Sequence, residues 1–452
     1  MKPIALHEFA LRCAGIAVQI PEGAFLTGFG WDSRTVQSGQ LFLAIEGERA
    51  DGHQFVPEAL ARGAIATIAE RTVPGPHILV ENLESALAHF ASGIRESFAG
   101  PVIGITGSNG KTTTKEFVAA ACSPLGSVKK SGGNLNTEYT SPLLWAEVES
   151  DTAVVVAEMA MRGLGQIRHL ASFARPTIGL VTMIGTAHIE KVGSREKIAE
   201  AKGELLEALP TDGLAIFWQE DDFQGTLRAI PRCPIRTFGF SPDAECQILG
   251  YRAVAWNRSV VRARLDGIVF EATLHALGRH QALNAAAAVL AAHSVGVAVE
   301  EAARCLPNAD LPPMRMEARP LRGAMLLVDS YNASPDSTVA AIKALAELPA
   351  EGRKLAVLGE MRELGEFSET GHRLVGRAVA ESPIDHVLLF GPMTSYIQSE
   401  AVRAGFPEGR IASATSLDEV RSFLEQLEPG DVALFKGSRA LELEKAVEAV
   451  AL

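Results

Sequence analysis

Continuous apolar segments separated by helical patterns occupy the middle of the chain. Residues 102–106, 153–158 and 177–184 are uninterrupted apolar runs, and residues 214–218 resemble them. Strands of this composition are usually buried on both faces, as in a parallel sheet covered by helices. The pattern therefore predicts a central parallel sheet flanked by helices.

The regions on either side of these runs have a different pattern of apolar and polar residues. Residues 1–98 mix short strands, such as 39–47, with helices, such as 84–98, where apolar residues recur at spacings of three and four. Residues 245–277 alternate in short segments, which favours antiparallel strands. Residues 280–295 then form a strong helical pattern.

A proline-rich stretch at 306–314 precedes a second series of apolar strands. Helical patterns alternate with these strands, which predicts a second, Rossmann-like, doubly wound sheet. We predict an α/β protein of three domains, with boundaries at 1–98, 99–310 and 311–452. The strands of the last domain are expected at 325–330, 354–360, 386–391 and 431–438.

Composition narrows the class of protein. The chain has 452 residues and a net charge of −12, and a non-specific nucleic-acid binder usually carries a basic face instead. Its five cysteines contain no C-x-x-C pair, which argues against a disulfide framework or a structural zinc site. We find neither a signal-peptide pattern nor an apolar run of about 18 residues, and expect a reduced, cytoplasmic, monomeric protein without a membrane span.

The segment "GITGSNGKTTTKE" (104–116) follows an apolar strand and runs into a helix, as a phosphate-binding loop does. Glycines allow a tight turn whose N–H groups point at a phosphate, a lysine supplies charge, and a threonine hydroxyl binds Mg²⁺. Ile105 stands where the strict P-loop pattern has its first glycine, so this is a shorter variant. The alternative is a plain glycine turn before a helix. The predicted nucleotide-binding residues are Gly107, Ser108, Asn109, Gly110, Lys111, Thr112 and Thr113.

Two further side chains follow buried strands, where ligands bind in open α/β sheets. Glu158 ends the run 153–158 and is a candidate for Mg²⁺ binding, although it could simply begin a loop. His188 follows the run 177–184. A lone histidine is more often structural than a metal ligand.

Taken together, the motifs resemble the Mur ligases, the ATP-dependent amide-forming enzymes of peptidoglycan synthesis. Within that family, residues 328–337 and 358–372 are most similar to members that add D-alanyl-D-alanine to UDP-N-acetylmuramoyl-tripeptide. The DNPR motif of the diaminopimelate-adding members is absent. The matching blocks are 32–53, 104–116, 134–143, 157–167, 184–190, 201–209, 278–289, 314–317, 328–337, 358–372 and 435–445.

The resemblance implies that ATP phosphorylates a substrate carboxylate and that an amine then attacks the acyl phosphate. Lys111 would bind the ATP phosphates, Thr112 and Glu158 the first Mg²⁺, and His188 would lie beside a second Mg²⁺. Lys202 matches the family's carbamylated lysine, whereas without the resemblance it would be interpreted as a solvated helical residue. The implied catalytic set is Lys111, Glu158, His188, Lys202 and Arg315, and the implied metal set is Thr112, Glu158, His188 and Lys202.

The resemblance also implies binding residues in each predicted domain. Asn284 would lie near adenine, Arg315 would reach the ATP phosphates, and Asp329 would contact ribose. The first domain would bind the UDP-sugar peptide, the central one ATP and the last one the dipeptide, with an open arrangement when no ligand is bound. The remaining implied substrate contacts are Ser33, Arg34, Asn136, Thr137, Tyr331, Asn332, Lys436, Gly437, Ser438 and Arg439; Asp, Asn and Ser also make ordinary turns.

The sequence leaves three other functions open. One is a Mur ligase that adds a single amino acid, diaminopimelate or lysine. Another is folylpolyglutamate synthase, which should lack the UDP-binding first domain. The third is a non-catalytic nucleotide-dependent switch, which would not need Glu158, His188 and Lys202 together.

Overall fold

The computed structural model describes residues 1–47, 50–133 and 135–450. Residues 48, 49, 134, 451 and 452 lie outside this description. They include parts of the sequence blocks 32–53 and 134–143 and the end of the predicted domain 311–452.

Strands are distributed along the whole described chain. Their bounds are β1 Ile4–Ala5, β2 Ile16–Val18, β3 Phe25–Leu26, β4 Gly28–Gly30, β5 Gln40–Leu43, β6 Ala66–Ala69, β7 His77–Leu79, β8 Val102–Thr106, β9 Ser127–Lys130, β10 Thr152–Glu158, β11 Ile178–Val181, β12 Leu214–Trp218, β13 Ile235–Gly239, β14 Cys246–Ala255, β15 Arg258–Leu265, β16 Ile268–Leu274, β17 Glu317–Leu321, β18 Ala324–Asp329, β19 Lys354–Gly359, β20 His386–Phe390, β21 Ile411–Ala414 and β22 Val432–Lys436.

Helices alternate with most of these strands. Their bounds are α1 Leu6–Arg12, α2 Val56–Ala61, α3 Leu83–Ser97, α4 Lys111–Cys122, α5 Gln166–Ala174, α6 Ile189–Val192, α7 Arg195–Glu207, α8 Gln224–Arg228, α9 Arg279–Ser294, α10 Val299–Cys305, α11 Pro335–Glu347, α12 Ser368–Ala380, α13 Ser395–Arg403, α14 Leu417–Leu424 and α15 Leu443–Val450.

The first of two compact units comprises Met1–Gly104, Gly126–Ala160 and Gln166–Thr177. One of its sheets has the order β2-β7-β6-β5-β4 and is parallel except for β2. Helix α3 buries Leu87 and Phe90 in the core of this region. The same unit holds β10 parallel to β9, and β10 ends at Glu158.

The second unit comprises Ile105–Leu125, Met161–Gly165 and Ile178–Leu452. Strands β11 to β14 are parallel, and β14, β15 and β16 continue the same sheet as antiparallel neighbours. Helix α4 packs on α9. Alanine fills much of α9 (285–288 and 291–292), and small side chains allow its buried surface to approach α4 closely.

A further sheet of the second unit has the order β17-β18-β22-β19-β20-β21 and is parallel except for β17. Buried Val328, Val357 and Phe435 come from three adjacent strands, β18, β19 and β22. The carboxyl ends of β18, β22 and β19 lie side by side at one edge of this sheet, where open α/β sheets bind ligands.

The strands and helices expected from the hydrophobic pattern are confirmed. Each predicted apolar run contains a strand, 245–277 contains β14, β15 and β16, and 280–295 overlaps α9. Beyond the first 98 residues, strands β9, β13, β17 and β21 were not predicted, since they are short and carry exposed or polar positions. No helix among the described residues is long and apolar enough to cross a membrane. The three-domain division stays a prediction.

Candidate active site

The glycine turn between β8 and α4 has the backbone that a phosphate loop requires. Gly107 has φ 147° and Gly110 has φ 84°, both in the region that favours glycine. A Cβ at Gly107 would lie 1.8 Å from the Thr182 hydroxyl oxygen, and one at Gly110 would lie 2.7 Å from Asn284 Oδ1. Both glycines are therefore required by conformation and by space.

Helix α4 begins at Lys111, directly after this turn. The Lys111 ammonium donates to the carbonyl oxygens of Gly107 at 2.8 Å and Ser108 at 3.4 Å, so it lies over the loop. Thr112 and Thr113 are buried in the first turn of the helix. The backbone N–H groups of a first turn and the helix dipole favour anion binding at such a terminus.

A neighbouring segment, residues 182–188, supports the loop from the side. The Thr182 hydroxyl donates to the Asn109 carbonyl at 2.6 Å, and the Gly185 N–H donates to Ser108 Oγ at 2.9 Å. We call residues 182–188 the histidine segment, because it ends at His188. The buried Asp221 carboxylate accepts from the Ile184 N–H at 2.8 Å and fixes this segment in turn.

His188 and Lys202 both lie within electrostatic reach of Lys111. Burial, followed by the Lys111 charge, holds the pKa of Lys202 well below its usual range. Burial and the Lys111 charge also lower the pKa of His188, against the opposing influence of Glu363. Lys202 is 2% exposed on α7, so the sequence-only alternative of a solvated lysine is wrong. A buried neutral amine is a reactive form of lysine.

We call the sheet β17-β18-β22-β19-β20-β21, with its helices and connecting loops, the C-terminal region. Two carboxylates from this region contact the histidine segment. Asp336 Oδ2 accepts from the Thr186 N–H at 2.8 Å and from the Thr186 hydroxyl at 2.7 Å. Glu363 Oε2 lies 2.8 Å from His188 Nδ1. The structure thus has these two regions in contact, and the open arrangement stays a prediction for the ligand-free protein in solution.

Arg315 reaches the phosphate loop from the same region. Its Nη2 donates to the Thr112 hydroxyl at 3.2 Å, and its guanidinium lies 4.3 Å from the centre of the Tyr331 ring. Arg315 Nε is buried and has no hydrogen-bond partner within residues 1–47, 50–133 and 135–450. An unpaired buried donor beside a helix N-terminus fits the approach of a phosphate oxygen.

Asp329 and Lys436 form an ion pair at the ends of β18 and β22. Their charged atoms are 2.8 Å apart, and the Lys436 ammonium also donates to the Asn332 carbonyl at 2.8 Å. Lys436 is 2% exposed, so it joins two strands at the sheet edge. Nearby His280 has its pKa lowered to about 4, chiefly by burial, and is neutral at physiological pH.

Of the other predicted residues of the second unit, some lie at the phosphate loop and some in the C-terminal region. Asn284 lies against Gly110 and donates to Gln281 Oε1 at 2.9 Å, so it contacts the loop itself. Ser438 Oγ accepts from the Arg362 N–H at 2.8 Å, which joins the loops after β22 and β19. Arg439 pairs with Glu444.

In the first unit, Asn136 and Glu158 lie together. Asn136 Nδ2 donates to Glu158 Oε1 at 2.8 Å, and Glu158 is 1% exposed at the end of β10. The Ser131 hydroxyl accepts from the Glu158 N–H at 3.0 Å. Thr137 contacts the Thr140 hydroxyl at 2.9 Å within the same loop.

The predicted UDP-binding residues differ in accessibility. Ser33 is buried and donates to Glu58 at 2.8 Å. Arg34 is exposed, and both its Nε and Nη2 donate to Asp32. Of Ser33 and Arg34, only Arg34 therefore presents an accessible side chain. Its side-chain hydrogen bonds hold the pKa of Asp32 at about 2.

Sequence reasoning missed Asp336 and Glu363. Both lie in quoted blocks, and "SPDS" (334–337) does mark a helix start, since Ser334 and Ser337 form a capping box. Nothing local to the sequence shows that Asp336 turns toward Thr186, 150 positions earlier in the chain.

Replacing Asp336 by alanine should release the histidine segment, because both Thr186 donors lose their acceptor. Thermal unfolding should show a loss of about 1–3 kcal/mol, the range for leaving donors unsatisfied. Asp336→Asn is the matched control, since its amide oxygen still accepts. Equal stability of the alanine variant and the native protein would show that these contacts do not form in solution.

The site combines a phosphate loop that opens a helix, a buried lysine and a partly buried histidine beside it, and an arginine that reaches the loop from just before the second sheet. These features define a nucleotide-dependent α/β enzyme. Three family descriptions match the chain: "Mur ligase family, catalytic domain" at residues 26–93, "Mur ligase middle domain" at 105–292, and "Mur ligase, glutamate ligase domain" at 314–439. The chain belongs to the Mur ligase family, and it is an ATP-dependent ligase.

Individual relatives extend over nearly the whole chain. It is 36% identical to the UDP-N-acetylmuramoyl-tripeptide–D-alanyl-D-alanine ligase of Synechocystis, over 98% of this chain and 96% of that protein. The crystal structure of MurF from Acinetobacter baumannii is similar with a TM-score of 0.88 and 28% identity, covering 100% of this chain and 99% of that one. MurF from Thermotoga maritima in complex with ADP has a TM-score of 0.80 and 32% identity, covering 93% and 96% of the two chains.

Proposed function

We propose that this chain joins D-alanyl-D-alanine to UDP-N-acetylmuramoyl-tripeptide at the expense of ATP, which gives the pentapeptide precursor of peptidoglycan. The observation that carries the proposal is the near full-length similarity to ligases named for this reaction. The phosphate loop, with Lys111 over it and Arg315 reaching it, supports ATP as the activating substrate.

The proposed reaction has two steps, activation of the carboxylate and formation of the amide. The tripeptide carboxylate attacks the γ-phosphorus of ATP, which forms an acyl phosphate and releases ADP. The amine of the dipeptide then attacks the acyl carbon, so a C–N bond forms, the C–O bond to phosphate breaks, and a proton leaves the nitrogen. A free carboxylate lacks this leaving group, which is why the first step is needed.

Within the second unit, the side chains around the loop divide this work. Lys111 and Arg315 neutralise charge on the phosphate oxygens, which is the main requirement of phosphoryl transfer. Contact between the C-terminal region and the histidine segment keeps water away from the acyl phosphate, which would otherwise hydrolyse. We propose that Asp329 and Asn284 bind the nucleoside of ATP. The loops after β19 and β22 would bind the dipeptide.

Mg²⁺ bound together with the nucleotide is part of this proposal. The described residues contain no group of three His, Cys, Asp or Glu that could hold a metal, and Mg²⁺ typically uses one or two protein groups with phosphate oxygens and water. Thr112 would hold a first ion, with His188 and a carbamylated Lys202 beside a second, and Glu158 of the first unit stays a proposed Mg²⁺ ligand. Bound Mg²⁺ would neutralise charge on the phosphate oxygens and polarise the P–O bond that breaks.

The low pKa of Lys202 supports its carbamylation. A neutral amine attacks CO₂, the new N–C bond forms, and the nitrogen loses one proton to leave a carbamate anion. Charged lysine cannot do this, because its nitrogen has no lone pair. The reaction uses ATP and a UDP-linked precursor, so we place the protein in the bacterial cytoplasm and take it to act as a monomer.

The test is phosphate release from ATP with Mg²⁺ and UDP-N-acetylmuramoyl-tripeptide, with and without D-alanyl-D-alanine. Release should require both substrates, and mass spectrometry should find the UDP-pentapeptide. Tripeptides containing diaminopimelate and lysine should be compared. Release only with the UDP-dipeptide and a single amino acid would keep the family and reject the specificity, and no coupled release would favour a nucleotide-dependent switch.

A further inference from the structure

Two residues with left-handed backbones face each other beside the phosphate loop. His188 has φ 65° and Glu363 has φ 62°, a region that residues other than glycine adopt at a cost. Such residues persist where surrounding structure holds them, and they cluster at functional sites. They come from different regions of the second unit and are 175 positions apart.

Their side chains and their backbones are both in contact. Glu363 Oε2 lies 2.8 Å from His188 Nδ1, and the Glu190 N–H donates to the Glu363 carbonyl at 3.4 Å. Gly365, with φ 51°, would place a Cβ 3.1–3.4 Å from Glu190, so the chain there approaches closely. The turn after β19 is therefore shaped to bring Glu363 to His188.

The direction of the side-chain hydrogen bond follows from its partners. An ionised carboxylate has only acceptor oxygens, so His188 Nδ1 must carry the hydrogen. In a neutral imidazole the other nitrogen, Nε2, is then the acceptor. Carboxylates that accept from one histidine nitrogen commonly orient the other toward a metal ion.

We infer that Glu363 is a positioning residue, which fixes the tautomer and the ring orientation of His188 so that Nε2 is available as a ligand. The inference rests on the proposed function for the ligand itself, namely Mg²⁺ beside the transferred phosphoryl group. The orientation of the ring does not depend on that ligand.

The arrangement also makes His188 dependent on the C-terminal region. Glu363 is carried by the turn after β19, whereas His188 belongs to the segment that supports the phosphate loop. When that region is in contact, the imidazole has one tautomer; without it, both nitrogens compete for the proton. Histidine orientation is thus coupled to the arrival of the region assigned to the dipeptide.

The experiment uses the full chain with ¹⁵N-labelled histidine, in EDTA with saturating ADP, so that no metal fixes the ring. Nitrogen chemical shifts distinguish a protonated from an unprotonated imidazole nitrogen, and a His188→Gln sample assigns the signal. In the native protein the hydrogen should be on Nδ1. Glu363→Ala should lose this preference, and Glu363→Gln should keep it, because its amide oxygen still accepts.

The kinetic arm separates positioning from a structural role. Glu363→Ala should lower kcat by about 10–100-fold, as loss of such outer contacts does, without raising the KM for ATP. Glu363→Gln should retain more of kcat than the alanine variant. Glu366→Ala is the matched control, because it removes the same charge from an exposed residue of the same turn.

Two results would overturn the inference. One is an unchanged His188 tautomer in Glu363→Ala, and the other is an unchanged kcat in that variant when the native protein is active. An inactive native protein would instead reject the proposed function, while the nitrogen spectra would still decide whether Glu363 sets the tautomer.

Discussion

Replacing Lys202 by methionine is expected to abolish most ligase turnover while making the folded protein more stable. Lys202 is 2% exposed, and burial together with Lys111 holds its pKa well below the usual value. Lys202 therefore lowers the free energy of unfolding at pH values where it is charged in the unfolded chain and must lose its proton on folding. Methionine has similar length, no charge and no desolvation cost.

The sign of the pH dependence follows from proton binding. Between the folded and unfolded pKa values of Lys202, the unfolded state binds more protons, so the native protein gains stability as pH rises through that window. The methionine variant should lack this contribution. Its advantage in thermal unfolding, measured in CO₂-free buffer, should therefore be largest near neutral pH and should shrink toward pH values near 10.

Activity should move in the opposite direction. Loss of the Lys202 nitrogen should lower kcat by about 10²–10³-fold, comparable to the loss of one preorganised electrostatic group. Native protein should lose activity in CO₂-free buffer and regain it with bicarbonate, and mass spectrometry of the native protein should find one added CO₂. A stable, fully active methionine variant would remove Lys202 from the site.

Replacing Lys111 by methionine should reduce kcat by about 10³-fold, within the range for loss of a charge-stabilising group. Lys111 caps the loop through the Gly107 and Ser108 carbonyls and is the first residue of α4, so its ammonium lies where a phosphate would bind. The variant keeps the aliphatic stem, so the change isolates the charge.

The matched control for Lys111→Met is Lys197→Met, which removes an exposed lysine from α7. Isothermal titration of each variant with ADP should show weakened binding only for Lys111→Met. The pKa of Lys202 should also rise in that variant, because Lys111 is one of its two causes of depression. Undiminished turnover by Lys111→Met would contradict its assignment to the phosphates.

Sequence alone was sufficient for much of the fold and for the central motif. Apolar runs such as 153–158 and 386–391 are set by burial on both faces of a parallel sheet, so they remain visible without tertiary information. Glycines at 107 and 110 likewise follow from backbone sterics. The carboxyl-end positions of Glu158 and Asp329 could be predicted because strand direction fixes them.

The ionisation state and the partners of side chains were decided by the tertiary structure. Lys202 lies on an ordinary helical pattern, and only packing around α7 shows that it is buried. Lys436 forms an ion pair with Asp329, so its charge is neutralised by a neighbour at the edge of the sheet. Local sequence carries no record of desolvation or of distant charges, although both determine pKa values.

The sequence by itself determined most strands and helices and the phosphate loop, since these depend on local sterics and on which faces are buried. The family followed from the resemblance of its ordered motifs to those of the Mur ligases. The tertiary structure alone decided that Asp336 and Glu363 hold the histidine segment and that Lys111 acts on Lys202 and His188. These contacts join residues up to 175 positions apart, and through-space electrostatics and hydrogen bonds depend on distance in the folded chain.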